Sequence, residues 1–178
     1  AKLDVARLKS KIGTLSPDVV ERLGHLTETL NTGIALKRRI VEDLHPSSLY
    51  HLGLTASLEI LTHEFSNHSG IPINTDLDTV EIDAAGQLTI YRLIQESLTN
   101  IGKYAEATLI TVTVQNYTGH VQVDVHDNGK GFDMAHVRPS THGIAGMRHR
   151  VEAAGGRLTV ISSPGNGTHI SAALPTHT

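Results

Sequence analysis

The stretch Asp127-Asn128-Gly129-Lys130-Gly131-Phe132 decides the expected fold, because it ends a predicted strand in a glycine-rich loop. An ionised Asp127 only accepts hydrogen bonds, so a buried carboxylate there would select adenine, whose edge carries an amine where guanine has an oxygen. Gly129 and Gly131 would let the backbone approach a ring closely and supply positive φ angles. By itself the stretch is also compatible with an ordinary Asp-Asn-Gly turn between strands.

Three further elements accompany this stretch in the chain. Gln95-Glu96-Ser97-Leu98-Thr99-Asn100 lies upstream, and His142-Gly143-Ile144-Ala145-Gly146-Met147 and Gly165-Asn166-Gly167-Thr168 lie downstream. In this order the four elements predict a nucleotide pocket with an adenine reader, a metal ligand and a phosphate lid. The last element, taken alone, is typical of a hairpin turn.

Glu96, Asn100 and Lys103 are spaced i, i+4, i+7, which places them on one face of a predicted helix. The amide oxygen of Asn100 could ligate Mg²⁺, and Glu96 could accept or steer a proton near the γ-phosphate. Lys103 could contact the phosphates as a point charge. Without the glycine loops, the same spacing would describe a polar, solvated helix face.

Gly143 and Gly146 begin another predicted helix, where free backbone N–H groups favour phosphate. The polar segment before it, with His136, Arg138 and His142, is predicted to close over the nucleotide as a lid. The alternative is a plain connecting loop.

Composition excludes several classes of protein. The chain has 178 residues, enough for one domain and a helical appendage, and 39% hydrophobic with 19% charged residues is typical of soluble globular proteins. A net charge of -3 argues against a nucleic-acid binder. The absence of cysteine excludes disulfides and cysteine-ligated metals, and no apolar run approaches the length of a membrane span.

Residues 1–45 are predicted to form an antiparallel helical hairpin. A first helix ends near Ile12, a turn follows, Ser16 caps a second helix, and Pro46 stops that helix. Apolar residues of the second helix follow an interrupted heptad seam. So thin a hairpin cannot bury its seam, which favours pairing into a four-helix homodimer; packing on its own domain is the alternative.

Residues 46–178 are predicted to form an α+β, two-layer α/β sandwich with helices on one face of a mixed sheet. The expected helices cover residues 54–67, 83–104 and 143–154. Ile90, Leu93, Ile94, Ser97, Leu98 and Ile101 form the expected buried stripe. The expected strands cover residues 71–77, 109–114, 121–125, 157–162 and 168–174.

Together these elements resemble the ATP-binding domain shared by gyrase, Hsp90, histidine kinases and MutL, the GHKL superfamily with its Bergerat-type fold. The resemblance covers about residues 46–178 and implies ATP and Mg²⁺ as cofactors. It implies that Asn100 holds Mg²⁺, that Asp127 binds adenine and that Gly143 to Met147 flank the phosphates. The other residues expected to contact the nucleotide are Lys103, Gly129, Gly131 and Thr168.

Asp43-Leu44-His45-Pro46, Tyr91-Arg92 and Gly146-Met147-Arg148 narrow the resemblance to NarX- and DesK-like sensor histidine kinases. This implies a dimeric hairpin whose histidine accepts the γ-phosphoryl group and passes it to an aspartate of a response regulator. The resemblance implies that Glu96 is catalytic, polarising the incoming imidazole.

The sequence departs from that class at the phosphoacceptor. Its histidine is expected in a box resembling His-Asp-Glu-Leu-Gly, and none of the 12 histidines lies in one, while His45 precedes a proline. We therefore expect a cytoplasmic fragment that lacks the acceptor, with any membrane anchor in an upstream segment. The alternatives are a stand-alone ATPase or anti-sigma-type Ser kinase of the same fold, and a non-catalytic dimerisation scaffold.

Overall fold

A computed structural model describes residues 21–22, 24–33, 46–134 and 142–176. The chain divides into two compact units, Ala1–Ser47 and Ser48–Thr178. In the first unit, residues 21–22 and 24–33 are helical, within the second helix of the predicted hairpin. The helix before residue 13, the turn, the Ser16 cap and the seam beyond residue 33 lie outside the described residues. The hairpin and the boundary after residue 45 therefore stay predictions.

The second unit contains one sheet of five strands in the order β1-β2-β3-β5-β4. Its strands are β1 (Ile73–Leu77), β2 (Ile110–Tyr117), β3 (His120–Asp127), β4 (Arg157–Ser162) and β5 (Thr168–Pro175). The β1–β2 pair is parallel and the others are antiparallel, which confirms the predicted mixed sheet.

Four α-helices occur in the described residues from 46 onward: α1 (Ser47–Leu52), α2 (Leu54–Ser69), α3 (Ala84–Asn100) and α4 (His142–Ala153). The short helix α1 was not predicted. The helix expected to reach residue 104 ends as an α-helix at Asn100 and continues as a π-helical turn over Ile101–Ala105. None of the helices in the described residues is both long and apolar enough to cross a bilayer.

The core lies between one face of the sheet and the helices. Along β3, the buried Val121, Val123 and Val125 alternate with the less buried Gln122 and Asp124. Burial of this one face confirms the two-layer sandwich, because a sheet covered on both faces would lack this alternation. Every residue of the predicted α3 stripe is buried, namely Ile90, Leu93, Ile94, Ser97, Leu98 and Ile101.

The predicted ends of two helices are explained by local hydrogen bonds. Asp83 caps α3, accepting a hydrogen bond from the backbone N–H of Gly86 at 2.7 Å. Helix α4 stops at the predicted glycine pair, where the N–H groups of Gly155 and Gly156 each donate to a carbonyl of its last turn at 2.9 Å. Both contacts involve the residues from which the sequence predicted the helix ends.

Candidate functional site

Asp127 ends β3 and is only 2% exposed. Its Oδ1 accepts a hydrogen bond from the N–H of Gly129 at 2.8 Å. Its Oδ2 has no hydrogen-bond partner in the described part of the chain, and no fully buried side-chain oxygen there lacks one. Oδ2 therefore reaches accessible space as a free acceptor, which is what recognition of an adenine amine requires.

Asn128 holds the loop that follows β3 against the chain before β2. Its Oδ1 accepts hydrogen bonds from the N–H groups of Thr108 at 2.9 Å and Leu109 at 3.0 Å. Its Nδ2 donates to the Thr108 hydroxyl at 2.9 Å. The middle residue of the Asp-Asn-Gly motif is therefore a structural anchor that fixes where Asp127 points.

The two glycines of this loop are required for different reasons. Gly131 has a φ of 58°, as predicted, whereas the expected positive φ of Gly129 is wrong. A Cβ on Gly129 would instead lie 2.2 Å from the carbonyl oxygen of Ala105, in the π-helical turn. A Cβ on Gly131 would lie 2.1 Å from the carbonyl oxygen of Ser163. Both glycines thus allow the loop to pack against neighbouring backbone.

The last glycine element is interlocked with the first. Thr168 pairs with Asp127 in the β3–β5 ladder, and the N–H of Gly165 donates to the carbonyl of Lys130 at 2.7 Å. Ser162 joins them, since its hydroxyl accepts the N–H of Phe132 at 3.0 Å and donates to the carbonyl of Gly167 at 2.9 Å. The Ser162 and Thr168 hydroxyls lie 3.1 Å apart.

Glu96 and Asn100 lie side by side on α3, facing the start of α4. The Nδ2 of Asn100 donates to the Oε1 of Glu96 at 3.4 Å, and both residues are partly buried. A Cβ on Gly143 would lie 2.6 Å from that Oε1 and 3.3 Å from the Asn100 Nδ2. Gly143 therefore makes room for this pair. The Oδ1 of Asn100 accepts no hydrogen bond from any described residue and is available to a cation.

Met147 lies one turn further along α4, with its side chain in the core. Its exposure is 0%, and the Ser97 hydroxyl lies 3.8 Å from its sulfur. Of the predicted phosphate-flanking residues, Met147 can therefore offer only its backbone. Its side chain instead fixes the distance between α3 and α4, which sets the spacing of Gly143 and Asn100.

The π-helical turn connects the helix with the glycine loop. The carbonyl of Ala105 accepts a hydrogen bond from the N–H of Lys130 at 2.7 Å. The Nζ of Lys130 donates to the Oε1 of Glu106 at 2.7 Å. This hydrogen bond and the opposite charge of Lys130 lower the pKa of the Glu106 carboxyl. Lys103 is exposed on the same turn, without a polar partner among the described residues.

The structure thus brings the predicted site residues together in two groups joined by this turn. Asp127, Gly129, Gly131 and Thr168 lie at one end of β3 and β5. Glu96, Asn100 and Gly143 lie between α3 and α4, with Gly146 one turn along α4 and Lys103 on the π-helical turn. His136 and Arg138 of the predicted lid, and the side chain of His142, lie outside the described residues.

Sequence reasoning missed two residues that shape the site. For Asn128 a signal existed, because Asn side chains bond nearby backbone in turns, but only its neighbours Asp127 and Gly129 received a role. For Ser162 the sequence contained no such signal, since a serine at the end of a strand can take many structural roles. Its role depends on strands β3 and β5 meeting in space.

No three His, Cys, Asp or Glu side chains converge on a metal site within the residues that the structure describes. A divalent cation at this site would therefore need few protein ligands. Mg²⁺ fits that condition, because it is held by one or two side chains together with phosphate oxygens and water. The free Oδ1 of Asn100 suits such a role.

Comparison with known proteins finds similarity to one ATPase family and to sensor histidine kinases. A family model described as "Histidine kinase-, DNA gyrase B-, and HSP90-like ATPase" matches residues 85–178. The sensor histidine kinase LiaS of Bacillus subtilis (strain 168) is 33% identical over 138 residues, covering 78% of this chain and 38% of LiaS. The signal transduction histidine-protein kinase/phosphatase DegS of Brevibacillus brevis is 29% identical over 162 residues, covering 89% of this chain and 42% of DegS.

Solved structures agree with these sequence relatives. The histidine kinase domain of the Erythrobacter litoralis EL346 blue-light activated histidine kinase superposes with a TM-score of 0.61 at 25% identity, covering 68% of this chain and 60% of that one. The Acinetobacter baumannii histidine kinase AdeS has a TM-score of 0.57 at 14% identity, covering 96% of this chain and 90% of its own, which supports the fold alone. The chain spans about two fifths of LiaS and DegS.

Proposed function

The chain belongs to the family of histidine kinase-, DNA gyrase B- and HSP90-like ATPases, and on that premise we propose that it is the ATP-binding and dimerisation region of a two-component sensor histidine kinase. The family match confirms the resemblance drawn from the glycine elements. Its matched region is an ATP-binding domain. The reaction, the partners and the role of each residue below are parts of the proposal.

The observation that carries the proposal is the join between the two groups of site residues. Helix α3 carries Glu96 and Asn100, and the π-helical turn that continues it holds the glycine loop through the Ala105 carbonyl. The continuous segment of α3 and the π-helical turn therefore positions both the glycine loop, which begins at Asp127, and the side chain of Asn100, which could hold a cation near the phosphates. A nucleotide is a ligand that needs a hydrogen-bond acceptor for its base and a cation site for its phosphates, at a fixed distance from each other.

ATP binding is assigned to residues of both groups. The Oδ2 of Asp127 accepts the adenine amine, while Gly129, Gly131 and Thr168 shape the surrounding wall. The N–H groups at the start of α4, around Gly143, face the phosphates. Lys103 adds a positive charge near them.

Mg²⁺, when bound, neutralises the charge that develops on the phosphate oxygens during transfer. Asn100 would hold it through Oδ1, and the hydrogen bond from its Nδ2 to Glu96 orients that oxygen. Glu96 accepts hydrogen bonds and so orients an imidazole N–H, which leaves the other ring nitrogen as the nucleophile. The γ-phosphoryl group passes to a histidine outside this chain and then to an aspartate of a response regulator.

Dimerisation is assigned to the N-terminal helical segment. Leu26 and Leu30, which belong to the predicted seam, are exposed at 51% and 36%. Exposed leucines at such spacing favour burial against a second copy. A monomer at micromolar concentration, measured by light scattering, would contradict this part of the proposal.

Nucleotide titration tests the proposed site. The chain should bind Mg·ATP in preference to Mg·GTP, and Asp127→Asn should weaken ATP binding by on the order of 100-fold, because an amide can turn its N–H₂ toward the adenine amine. Asp76→Asn, an exposed substitution of the same type on β1, is the control and should leave ATP binding unchanged. Absence of Mg·ATP binding by the unaltered chain would favour a dimerisation scaffold.

A second experiment addresses the acceptor. Incubation of the chain with radiolabelled ATP should leave no acid-labile label on it, because none of its 12 histidines lies in an acceptor box. Label on one of these histidines that is stable in base and lost in acid would contradict the assignment of the acceptor to a segment outside this chain. Label on serine would favour the Ser kinase alternative.

A further inference from the structure

Arg150 lies on the edge of α4 that faces the proposed phosphate site. It follows Gly143 by seven residues and Gly146 by four, so the three positions fall along one side of the helix. Gly143 is the residue of this row that touches α3, since its missing Cβ leaves room for Glu96 and Asn100. Arg150 therefore lies on the side of α4 that contacts Glu96 and Asn100, the two residues that the proposed function places near the γ-phosphate.

The Arg150 side chain folds back toward the start of α4, as long helical side chains do. A Cβ on Gly146 would lie 3.3 Å from its Nη1, so the guanidinium lies beside the space that a side chain of residue 146 would take. Residues three positions apart in the sequence of a helix are neighbours on its surface, with Cβ atoms about 5–6 Å apart. The Arg150 guanidinium beside Gly146 and the Glu96 carboxylate beside Gly143 therefore lie along the same side of α4, at positions about one helical turn apart.

No hydrogen bond or ion pair occupies this guanidinium in the part of the chain that the structure describes. The contrast with Arg148, two residues earlier, is informative, because Arg148 donates to the carbonyl of Leu158 at 3.1 Å and ties α4 to β4. A basic residue near a helix C-terminus could simply serve the helix dipole. Arg150, however, points away from that terminus, and its guanidinium has no hydrogen-bond or ion-pair partner among the described residues.

We propose that Arg150 binds the terminal phosphate of ATP, as a phosphate contact additional to Lys103 and the α4 N-terminus. This inference rests on the proposed function and extends it. The planar guanidinium donates two parallel hydrogen bonds to a phosphate, which a point charge such as Lys103 does not. Gly146 leaves room for this contact, since a Cβ there would lie 3.3 Å from the guanidinium and would require it to shift slightly.

Comparison of Mg·ATP with Mg·ADP tests the contact by isothermal titration calorimetry, without any need for turnover. Arg150→Gln should weaken Mg·ATP binding by on the order of tenfold and leave Mg·ADP binding within about twofold, because ADP lacks the terminal phosphate. Arg157→Gln removes an exposed arginine of β4 and should change neither affinity. An equal loss of both nucleotides, or no loss, in Arg150→Gln would overturn the assignment.

Two further variants separate the contact from a structural role. Gly146→Ala should stabilise α4 by helix propensity yet lower the preference for ATP over ADP, since its Cβ crowds the guanidinium. In the Arg150→Gln background, Gly146→Ala should have no additional effect on this preference; an additional loss would mean that the methyl group itself obstructs the phosphate. If the unaltered chain bound neither nucleotide, the proposed function would fail. If it bound both and Arg150→Gln kept the preference, only the Arg150 assignment would fail.

Discussion

Asn128 and Thr108 form a reciprocal contact in which the Oδ1 of Asn128 accepts the Thr108 N–H at 2.9 Å while its Nδ2 donates to the Thr108 hydroxyl at 2.9 Å. The two residues are 20 positions apart, on either side of the β2–β3 hairpin. Because Asn128 follows Asp127 directly, the contact fixes the carboxylate that is proposed to read adenine.

Replacing Asn128 tests whether this contact holds the loop. Asn128→Ala leaves two backbone N–H groups without their acceptor and should cost about 1–3 kcal/mol of unfolding free energy. ATP affinity should fall with it, because Asp127 loses its neighbour's anchor. Asn128→Asp keeps both acceptor bonds, and the Thr108 hydroxyl can donate in return, so it should stay within about 1 kcal/mol of the unaltered chain. Chemical denaturation measures the unfolding free energy of both variants. Equal losses in the two would show that the acceptor hydrogen bonds of Asn128 do not hold the loop.

Gly131 should be far less tolerant of alanine than Gly165, although both have positive φ. Gly165→Ala has open space and should cost only the left-handed conformation, about 1–2 kcal/mol. Gly131→Ala adds a Cβ placed 2.1 Å from the Ser163 carbonyl, so it should cost several kcal/mol, on the order of twice as much or more. Thermal and denaturant unfolding give the difference. Similar costs would show that the interlocked loops separate easily.

Asn100 should matter to ATP binding only when Mg²⁺ is present. Asn100→Ala removes the free Oδ1 and should weaken Mg·ATP binding by on the order of tenfold, while binding in EDTA should match that of the unaltered chain. Thr99→Ala is the control, since the Thr99 hydroxyl donates to the Gln95 carbonyl of its own helix and to no other described residue. An equal loss with and without Mg²⁺ would assign Asn100 to direct nucleotide contact instead.

The Glu106–Lys130 pair gives a pH dependence with a defined sign. The pKa of Glu106 is lowered in the folded chain by Lys130, so the pair stabilises the fold above the ordinary carboxyl pKa and stops doing so as pH falls through the lowered value. The stability difference between the unaltered chain and Glu106→Gln should therefore be present at neutral pH and vanish in acid. It should be small, since both side chains are exposed. A difference that grows toward acid would contradict this.

Much of the fold followed from local patterns in the sequence. The alternation of Val121, Val123 and Val125 predicted the strand that forms the centre of the sheet, and Asp83 predicted the start of α3. These features were accessible because burial on one face and capping depend on near neighbours in the chain. The end of α3 could not be predicted in this way. There the helix changes to a π-helical turn whose Ala105 carbonyl accepts the N–H of Lys130, a residue that is distant in sequence.

The residue types of the site could likewise be predicted from the sequence, but the physical reason for each residue could not. Gly129 was expected to need a positive φ, whereas it needs to avoid the Ala105 carbonyl. Met147 was grouped with the phosphate residues, whereas its side chain packs on Ser97 in the core. In each case the deciding neighbour comes from another element of the fold.

The sequence by itself determined which chemistry the chain carries: an acceptor-only carboxylate in a glycine loop, an amide and a carboxylate one helical turn apart, and glycines at a helix start. Only the tertiary structure decided which of these groups are free to bind. Among the described residues, it pairs the Oδ1 of Asp127 and leaves Oδ2 without a partner, turns the Nδ2 of Asn100 to Glu96, and places the unpaired guanidinium of Arg150 beside Gly146. The physical reason is that composition and spacing fix donors and acceptors, whereas packing between distant segments determines which remain unpaired.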